Sequence, residues 1–479
     1  MPSPTRLQWK SAIAHYCSCD STMMTPDPTT TYIFTGLLVA MVITLALEEK
    51  IHAKKSMIVG LYAVVALFLA SAFDIMPDTH VLLSKEDSII GAIHMPVYIP
   101  GVEWEVIAII LGSGLFIDVV SRSGIFTWTA ILLTKKSLGD PLKLLIYYSL
   151  ITVLFSAVLN NVAAMMIVGS LTMVSLEKLD RKELLLGFLL TEGLLTNVGG
   201  LLTLISSVPN IILGNMAGIG YVSFFAKAGP YVVIATAMTI YMAVKLFKIT
   251  PLQTDEEKQT AAELVASFDE TDGIESSAFF NFSWALLGVF ILVIATTSVL
   301  PFVGPLGMGY VAVSFALIAL VRYKHEVDKN YSAVDWDLLA FFTFLFVVID
   351  TMKYAGVLDL IGGGIAQLLA LPDSLAGASL LWSSSIASAV TDNVPLAAVM
   401  GNILKGIEGT PDFQWWATIF GTNLGGNFTP IGSASTVVAV AIIHRAKLPL
   451  TFIGFVKKAA PFAIAQLILA TAYVLIVLK

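Results

Sequence analysis

The sequence predicts an all-α polytopic membrane protein of two inverted-topology repeats, with about ten crossing helices plus two re-entrant hairpins and discontinuous helices. Three observations lead there. Of the 479 residues, 57% are hydrophobic and 13% charged, with a mean hydropathy of +0.85, whereas roughly a quarter of a soluble domain is charged. A pattern of polar and aromatic residues returns in register: Val102-Glu103-Trp104-Glu105 reappears as Val334-Asp335-Trp336-Asp337, 334 − 102 = 232 positions on. Lysines and arginines gather in particular short loops, which fixes their side of the bilayer.

Taken in order, residues 1–30 form a polar arm with Pro2, Pro4, Pro26 and Pro28. The arm lacks the apolar core of a secretion signal and reads as disordered, and Met23 or Met24 offers an alternative translation start. The first transmembrane half covers 31–250, with apolar runs at 31–47, 57–73, 104–120 and 228–244, each near the roughly 20 residues a bilayer requires. An acidic cytoplasmic linker, 251–280, carries eight acids and the single Lys258 within 251–278, a solvated connector with one short surface helix. The second half, 281–479, has runs at 283–301, 305–321, 336–352 and 459–478.

The repeats span about 102–248 and 334–479. At the offset of 232, Asp118 falls on Asp350, Gly124-Ile125 on Gly356-Val357, and Ser156-Ala157-Val158-Leu159-Asn160-Asn161-Val162 on Ser388-Ala389-Val390-Thr391-Asp392-Asn393-Val394. Further on, Thr196-Asn197-Val198-Gly199-Gly200 matches Thr422-Asn423-Leu424-Gly425-Gly426 at 422 − 196 = 226, so six residues are lost in between. Loops with Lys50, Lys54 and Lys55, with Arg181 and Lys182, and with Arg445 and Lys447 belong inside. Trp104 then opens its helix from outside and Trp336 from inside, which inverts the repeats. Both termini fall outside a bacterial or archaeal inner membrane.

Composition also excludes functions. The only cysteines, Cys17 and Cys19, lie in the arm, and the six histidines fall in loops or segment ends, so the spans offer no thiolate metal site and no imidazole relay. No phosphate-cradling glycine loop is present. Gly307-x-Gly309-x-x-Ala312 opens an apolar span with no strand before it, which argues against a dinucleotide fold. No enzyme activity, cofactor, metal or nucleic-acid partner is expected; energy comes from an ion gradient or a separate ATPase subunit.

The chemistry concentrates where apolar segments are interrupted. Segment 143–176 breaks at Asn160-Asn161 and 377–404 at Asp392-Asn393; 184–219 breaks between Thr196 and Asn210, and 413–443 between Thr422 and Thr436. Irregular backbone at membrane depth survives only where protein or a water-filled cavity satisfies it, and each break frees helix-terminal N–H donors. The candidate solute-binding set is therefore Asn160, Asn161, Thr196, Asn197, Gly199, Gly200, Ser206, Ser207 and Asn210 in the first repeat. In the second it is Asp392, Asn393, Thr422, Asn423, Gly425, Gly426, Thr429, Gly432, Ser433 and Ser435. Asp392 is the candidate proton-coupling group. Glu192, amid leucines, fits either a buried structural pairing or proton carriage. Asp118 and Asp350 read as helix-end carboxylates, and Trp415-Trp416 as an interfacial anchor.

At these residues the chain resembles the ion-transporter superfamily of arsenite permeases, P-protein relatives, alkaliphile-type sodium/proton antiporters and citrate or dicarboxylate carriers. It is nearest the arsenite permease branch, over about 100–479. The likeness rests on Ser156 to Asn161, Thr196 to Gly200 through Pro209-Asn210, Ser388 to Pro395, and Thr422 to Gly426 through Gly432-Ser433-Ala434-Ser435. It implies an elevator-type carrier and a homodimer in lipid, moving a small inorganic solute or ion with protons or sodium. Two departures stand out: Asn160-Asn161 replaces an Asp-Asn pair, and Ser206-Ser207-Val208-Pro209-Asn210 replaces Gly-Asp-Pro-Pro-Asn. With Asp392 as the remaining carboxylate, the leading expectation is arsenite or antimonite efflux coupled to proton exchange. Sodium/proton antiport is the alternative, and a citrate, dicarboxylate or other anion carrier a further one.

Overall fold

A computed structural model describes residues 27–47, 51–75, 80–85, 88–94, 101–159, 161–271, 273–297, 300–323, 327–391, 393–407, 409–430 and 432–479. Helix α1 (Pro28–Ala46) starts at Asp27, whose side chain accepts from Thr29 N–H with proline in the first helical position, where its missing N–H costs nothing. The helix thus begins inside the expected arm; Met23 and Met24 lie outside the described residues. Helix α2 (Lys55–Ala72) follows, then an antiparallel pair, β1 (His80–Lys85) and β2 (Ser88–His94), with His80 opposite His94. Among the described residues this small pair is the addition to an otherwise helical fold.

Each repeat opens with a long apolar helix, α3 (Trp104–Ser121), and a shorter one, α4 (Ile125–Ser137), joined through Gly124 at φ 84°. The later counterparts, α14 (Trp336–Tyr354) and α15 (Val357–Leu369), join through Gly356 at φ 71° and are bent by 79°. Positive φ at the turn is cheap only for glycine. Each then continues into two helices: α5 (Pro141–Val158) with α6 (Asn161–Lys178), and α16 (Asp373–Val390) with α17 (Asn393–Gly406). Ser156 Oγ meets Asn161 Oδ1 at 2.7 Å beside the break, and Tyr148 OH meets Ser175 Oγ at 2.7 Å far from it. The two helices of the first pair therefore run antiparallel, as a hairpin.

A broken helix follows: α7 (Leu185–Gly199) and α8 (Val208–Met216) in the first repeat, α18 (Asp412–Gly425) and α19 (Ala434–Arg445) in the second. Helices α9 (Tyr221–Leu246) and α20 (Phe452–Tyr473) close the repeats. Eight helices among the described residues are long and apolar enough to cross a bilayer, nine with the bent pair taken as one span. The count of about ten took each broken helix as one crossing, and their separate pieces are too short to qualify alone.

The halves are interleaved. Between the acidic stretch and α14 come α11 (Ser277–Thr296), α12 (Gly307–Arg322) and the short α13 (Val327–Ala333). Helix α12 packs along α3 of the first half, and α2 packs along α14 of the second. Repeat-related acids clip both pairs: Glu105 Oε1 accepts from Met308 N–H at 3.2 Å at the start of α12, and Asp337 accepts from the Ser56 hydroxyl at the start of α2.

The acidic stretch carries one short surface helix, most of it exposed, and is also pinned to the protein at several points. Its helix α10 (Asp255–Ala266) is held by a capping box between Thr254 and Glu257. Asp140 Oδ2 accepts from Leu252 N–H at 3.0 Å, Arg181 pairs with Glu257 at 3.6 Å, Lys135 pairs with Glu270, and Lys178 sits 4.1 Å from the Phe268 ring. Trp415 and Trp416 also depart from expectation. Trp416 is fully buried and packs on Phe224 of α9 and on Phe420, so the pair is core and not an interfacial anchor, because α9 covers that helix end.

Candidate functional site

The breaks are assembled by hydrogen bonds that obey the repeat. Ser156 Oγ donates to Thr196 C=O and its counterpart Ser388 Oγ to Thr422 C=O, both at 2.6 Å; Thr203 Oγ1 donates to Ala157 C=O and Thr429 Oγ1 to Ala389 C=O, again both at 2.6 Å. Each hairpin is thus tied to its own broken helix through carbonyls near helix ends. Gly199 and Gly425 allow that approach. A Cβ on Gly199 would stand 2.7 Å from Val153 Cα, and one on Gly425 would stand 2.3 Å from Ser385 C=O.

A second set crosses between repeats. Ser207 Oγ donates to Asn423 Oδ1 at 2.7 Å, while Asn197 Nδ2 donates to Ser433 Oγ at 2.9 Å. Asn423 Nδ2 donates to Asn210 Oδ1 at 2.9 Å. Asn197 Nδ2 also reaches Asn427 Oδ1 at 2.8 Å, and Asn427 Nδ2 reaches Gln466 Oε1 at 2.8 Å. Asn427 and Gln466 were not among the candidates, although an amide in the apolar run 459–478 was a signal worth following. All these groups are buried, so the lattice replaces the water that irregular backbone would otherwise need.

In front of the lattice opens a cavity of about 760 Å³. The helix N-termini of all four breaks border it: α6 at Asn161, α17 at Asn393, α8 at Ser207-Val208, and α19 at Ser433-Ala434. Ser206 and Ser435 also line it, as do Lys54, Lys55, Asp118, Asp335 and Asp337. Asp118 pairs with Arg122 at 2.8 Å, which leaves two lysines and two carboxylates among the other charged lining residues.

Of the expected set, Asn161, Ser206, Ser207, Asn393, Ser433 and Ser435 line the cavity. Thr196, Asn197, Gly199, Gly200, Asn210, Thr422, Asn423, Gly425, Gly426, Thr429 and Gly432 are not among its lining residues; several of them form the hydrogen-bonded wall described above. Asn160 and Asp392 lie outside the described residues. The two tip asparagines differ. Asn161 accepts from Ser156 and donates to Asn197 Oδ1 at 3.3 Å, whereas Asn393 has no side-chain hydrogen bond among the described residues. Glu192 sits elsewhere, fully buried in α7. No group of three or more histidine, cysteine, aspartate or glutamate residues among the described residues is arranged to hold a metal.

Known proteins match this arrangement. The citrate transporter family profile covers residues 43–421. An uncharacterized transporter of Mycobacterium tuberculosis is 29% identical over 379 residues, 78% of this chain and 86% of that protein. The P protein of Homo sapiens is 24% identical over 456 residues, 78% of this chain and 54% of that protein. The crystal structure of the YdaH transporter from Alcanivorax borkumensis aligns with a TM-score of 0.57 at 13% identity, covering 88% of this chain and 98% of that one, which shows a shared fold. None of these likenesses singles out the arsenite permease branch. By the match over most of its length, this chain is a membrane transporter belonging to the citrate transporter family.

Proposed function

We propose that the chain is an alternating-access secondary carrier whose solute is a small oxygen-rich anion of the carboxylate class, citrate being the first to test. One observation carries this reading: the helix N-termini of the four breaks, with the amides of Asn161 and Asn393 and the hydroxyls of Ser207 and Ser433, border a single cavity. Each terminus presents about half a positive charge, so together they supply about two, against the single negative charge of Asp392. That balance favours an anion, more so when Asp392 carries a proton or a sodium ion. In this reading the hairpins and broken helices move as one body against the frame of α2, α3, α12 and α14. Asp392 binds the coupling cation, and Asn161, Asn393, Ser207 and Ser433 meet the solute.

A second reading, arsenite or antimonite efflux by proton exchange, is favoured by the uncharged serine and asparagine groups in the lining, which suit a neutral trihydroxide. Sodium/proton antiport needs only the cation site at Asp392. Purified protein in liposomes separates the three. Labelled citrate should accumulate under an inward proton or sodium gradient and stop doing so in Asp392→Asn. Arsenite movement without carboxylate movement defeats the first reading in favour of the second. Sodium-dependent collapse of a pH gradient with neither solute present selects the third.

A further inference from the structure

Glu192 is a carboxyl that the solute site does not use. It is fully buried in α7, and Thr172 Oγ1 of α6 donates to its Oε1 at 2.6 Å, while its Oε2 has no hydrogen-bond partner. Among the described residues no cation pairs with it. The helices packed on α7 are α5, α6, α9, α18, α19 and α20. Their cations and acids, such as Lys143, Glu177, Lys178, Arg445, Lys457 and Lys458, stand toward helix ends; Lys227 pairs with Asp412 at 3.7 Å and His444 is bound to Leu450 C=O at 2.8 Å. A buried carboxylate with neither a cation nor a second donor carries an uncompensated desolvation cost, so a structural role alone does not explain why an acid is there.

A run of buried hydroxyls leads from its neighbourhood to one face of the protein. Ser175 lies one turn beyond Thr172 on the same side of α6. Its Oγ meets Tyr148 OH at 2.7 Å, and Tyr148 OH meets Thr134 Oγ1 at 2.6 Å. Tyr148, Thr172, Ser175 and Thr134 are all at most 1% exposed. Thr134 adjoins Lys135, whose ammonium pairs with Glu270 of the acidic stretch at that face. The second repeat has no such acid: the residue at the 226 offset, 192 + 226 = 418, is Thr418, whose hydroxyl donates to its own helix at Gln414 C=O.

We propose that Glu192 is a second proton-binding group of the carrier, loaded and emptied through the Ser175, Tyr148 and Thr134 hydroxyls while the solute occupies the separate cavity. The proposal rests on the alternating-access reading but not on the identity of the solute. One proton adds to Oε2 and leaves by the same hydroxyls, with no other bond made or broken.

The test has one arm that needs no solute. Infrared difference spectra of the purified protein should contain the C=O stretch of a protonated carboxyl that is absent in Glu192→Gln and shifted in Thr172→Val. In proteoliposomes, with whichever carboxylate or arsenite proves to be transported, Glu192→Gln should lose one coupled proton. Equilibrium accumulation then falls about tenfold for each pH unit of gradient, while solute counterflow continues. Wild-type accumulation in Glu192→Gln, or no carboxyl band in the wild type, overturns the proposal. Should Glu192→Gln fail to insert, the band shift in Thr172→Val decides, and no shift counts against it. If no offered solute moves in the wild type, the solute reading fails while the spectroscopic arm still judges Glu192.

Discussion

Replacing Gly425 by alanine is a direct test of how the second hairpin is seated on its broken helix. The new Cβ would stand 2.3 Å from Ser385 C=O and 2.7 Å from Ser388 Cβ, where ordinary contact begins at 3.4 Å. Both neighbours belong to α16, and one is backbone, so no rotamer change relieves the clash; α16 and α18 must part by about 1 Å. Overpacking of that kind costs about 1–3 kcal/mol. The separation also stretches the 2.6 Å bond from Ser388 Oγ to Thr422 C=O out of range, adding about 0.5–1.5 kcal/mol. The expected loss is about 2–4 kcal/mol, read as a lowered unfolding midpoint in detergent. Gly199→Ala should lose less, since its closest contacts are 2.7 Å, and Gly288→Ala, with open space around it, should change nothing. If Gly425→Ala unfolds with Gly288→Ala, the helices are not in close contact and the tie between hairpin and break is wrong.

Three further outcomes are expected. Ser207→Ala deprives Asn423 Oδ1 of the hydroxyl donor it has at 2.7 Å; it should cost about 1–3 kcal/mol of thermal stability, and Asn423→Leu in the same protein should add less than it does alone. The N–H groups of Thr254 and Gln253 hold the Glu257 carboxyl below the ordinary glutamate range. A depressed carboxylate stabilises above its unfolded pKa and loses that effect as pH falls through the folded value. The difference in hydrogen-exchange protection of 255–266 between wild type and Glu257→Gln should therefore be present at pH 7 and disappear under acid. In a background with Cys17 and Cys19 changed to serine, single cysteines at Leu138 and Leu371, exposed residues at the ends of repeat-related helices, should react with an impermeant maleimide from opposite faces. Labelling from one face would refute the inverted topology.

Much of this arrangement is legible because the repeat keeps polar residues in step. Gly124 and Gly356 turn at matching positions with positive φ, Ser156 and Ser388 donate to matching carbonyls, and Thr203 and Thr429 do the same. Local backbone chemistry dictates such positions, so the sequence displays them. Pairings between helices distant in the chain are not visible in the same way. Nothing in the apolar runs 57–73 and 305–321 says that α2 belongs with α14 and α12 with α3, because lipid-facing and protein-facing leucines look alike. Trp415-Trp416 misleads for the same reason: an aromatic pair at a helix start resembles a membrane-interface anchor until Phe224 is seen to cover it. In the sequence the glycine pairs read as site residues, and the structure gives Gly199 and Gly425 a packing role that periodicity cannot distinguish from binding.

The change of offset from 232 to 226 has a definite place in the fold, and it bears on what each half can do. The returning hairpin helix has 18 residues in α6 and 14 in α17; the connectors 179–184 and 407–411 have six and five; α7 has 15 and α18 has 14. The shortfalls are four, one and one, which account for the six lost residues. At about 1.5 Å per residue, α17 is shorter by about 6 Å, and the position matching Thr172, 172 + 232 = 404, is an apolar leucine, Leu404. The second repeat thus has neither the acid nor its donor: Thr418 and Leu404 stand where the first has Glu192 and Thr172. In the sequence between the hairpin helices the exchange runs the other way, with Asn160 in the first repeat against Asp392 in the second. Each half therefore carries one acid within its apolar segments at a position where the other is neutral, Asp392 in the sequence between α16 and α17, and Glu192 buried in α7 beside the Thr172 hydroxyl. A carrier that moves an anion against its gradient needs a cation bound near the solute and benefits from another bound apart from it, where solute charge does not interfere. Loss of transport in Asp392→Asn together with loss of one proton in Glu192→Gln would separate those two duties, and equal effects from both would merge them.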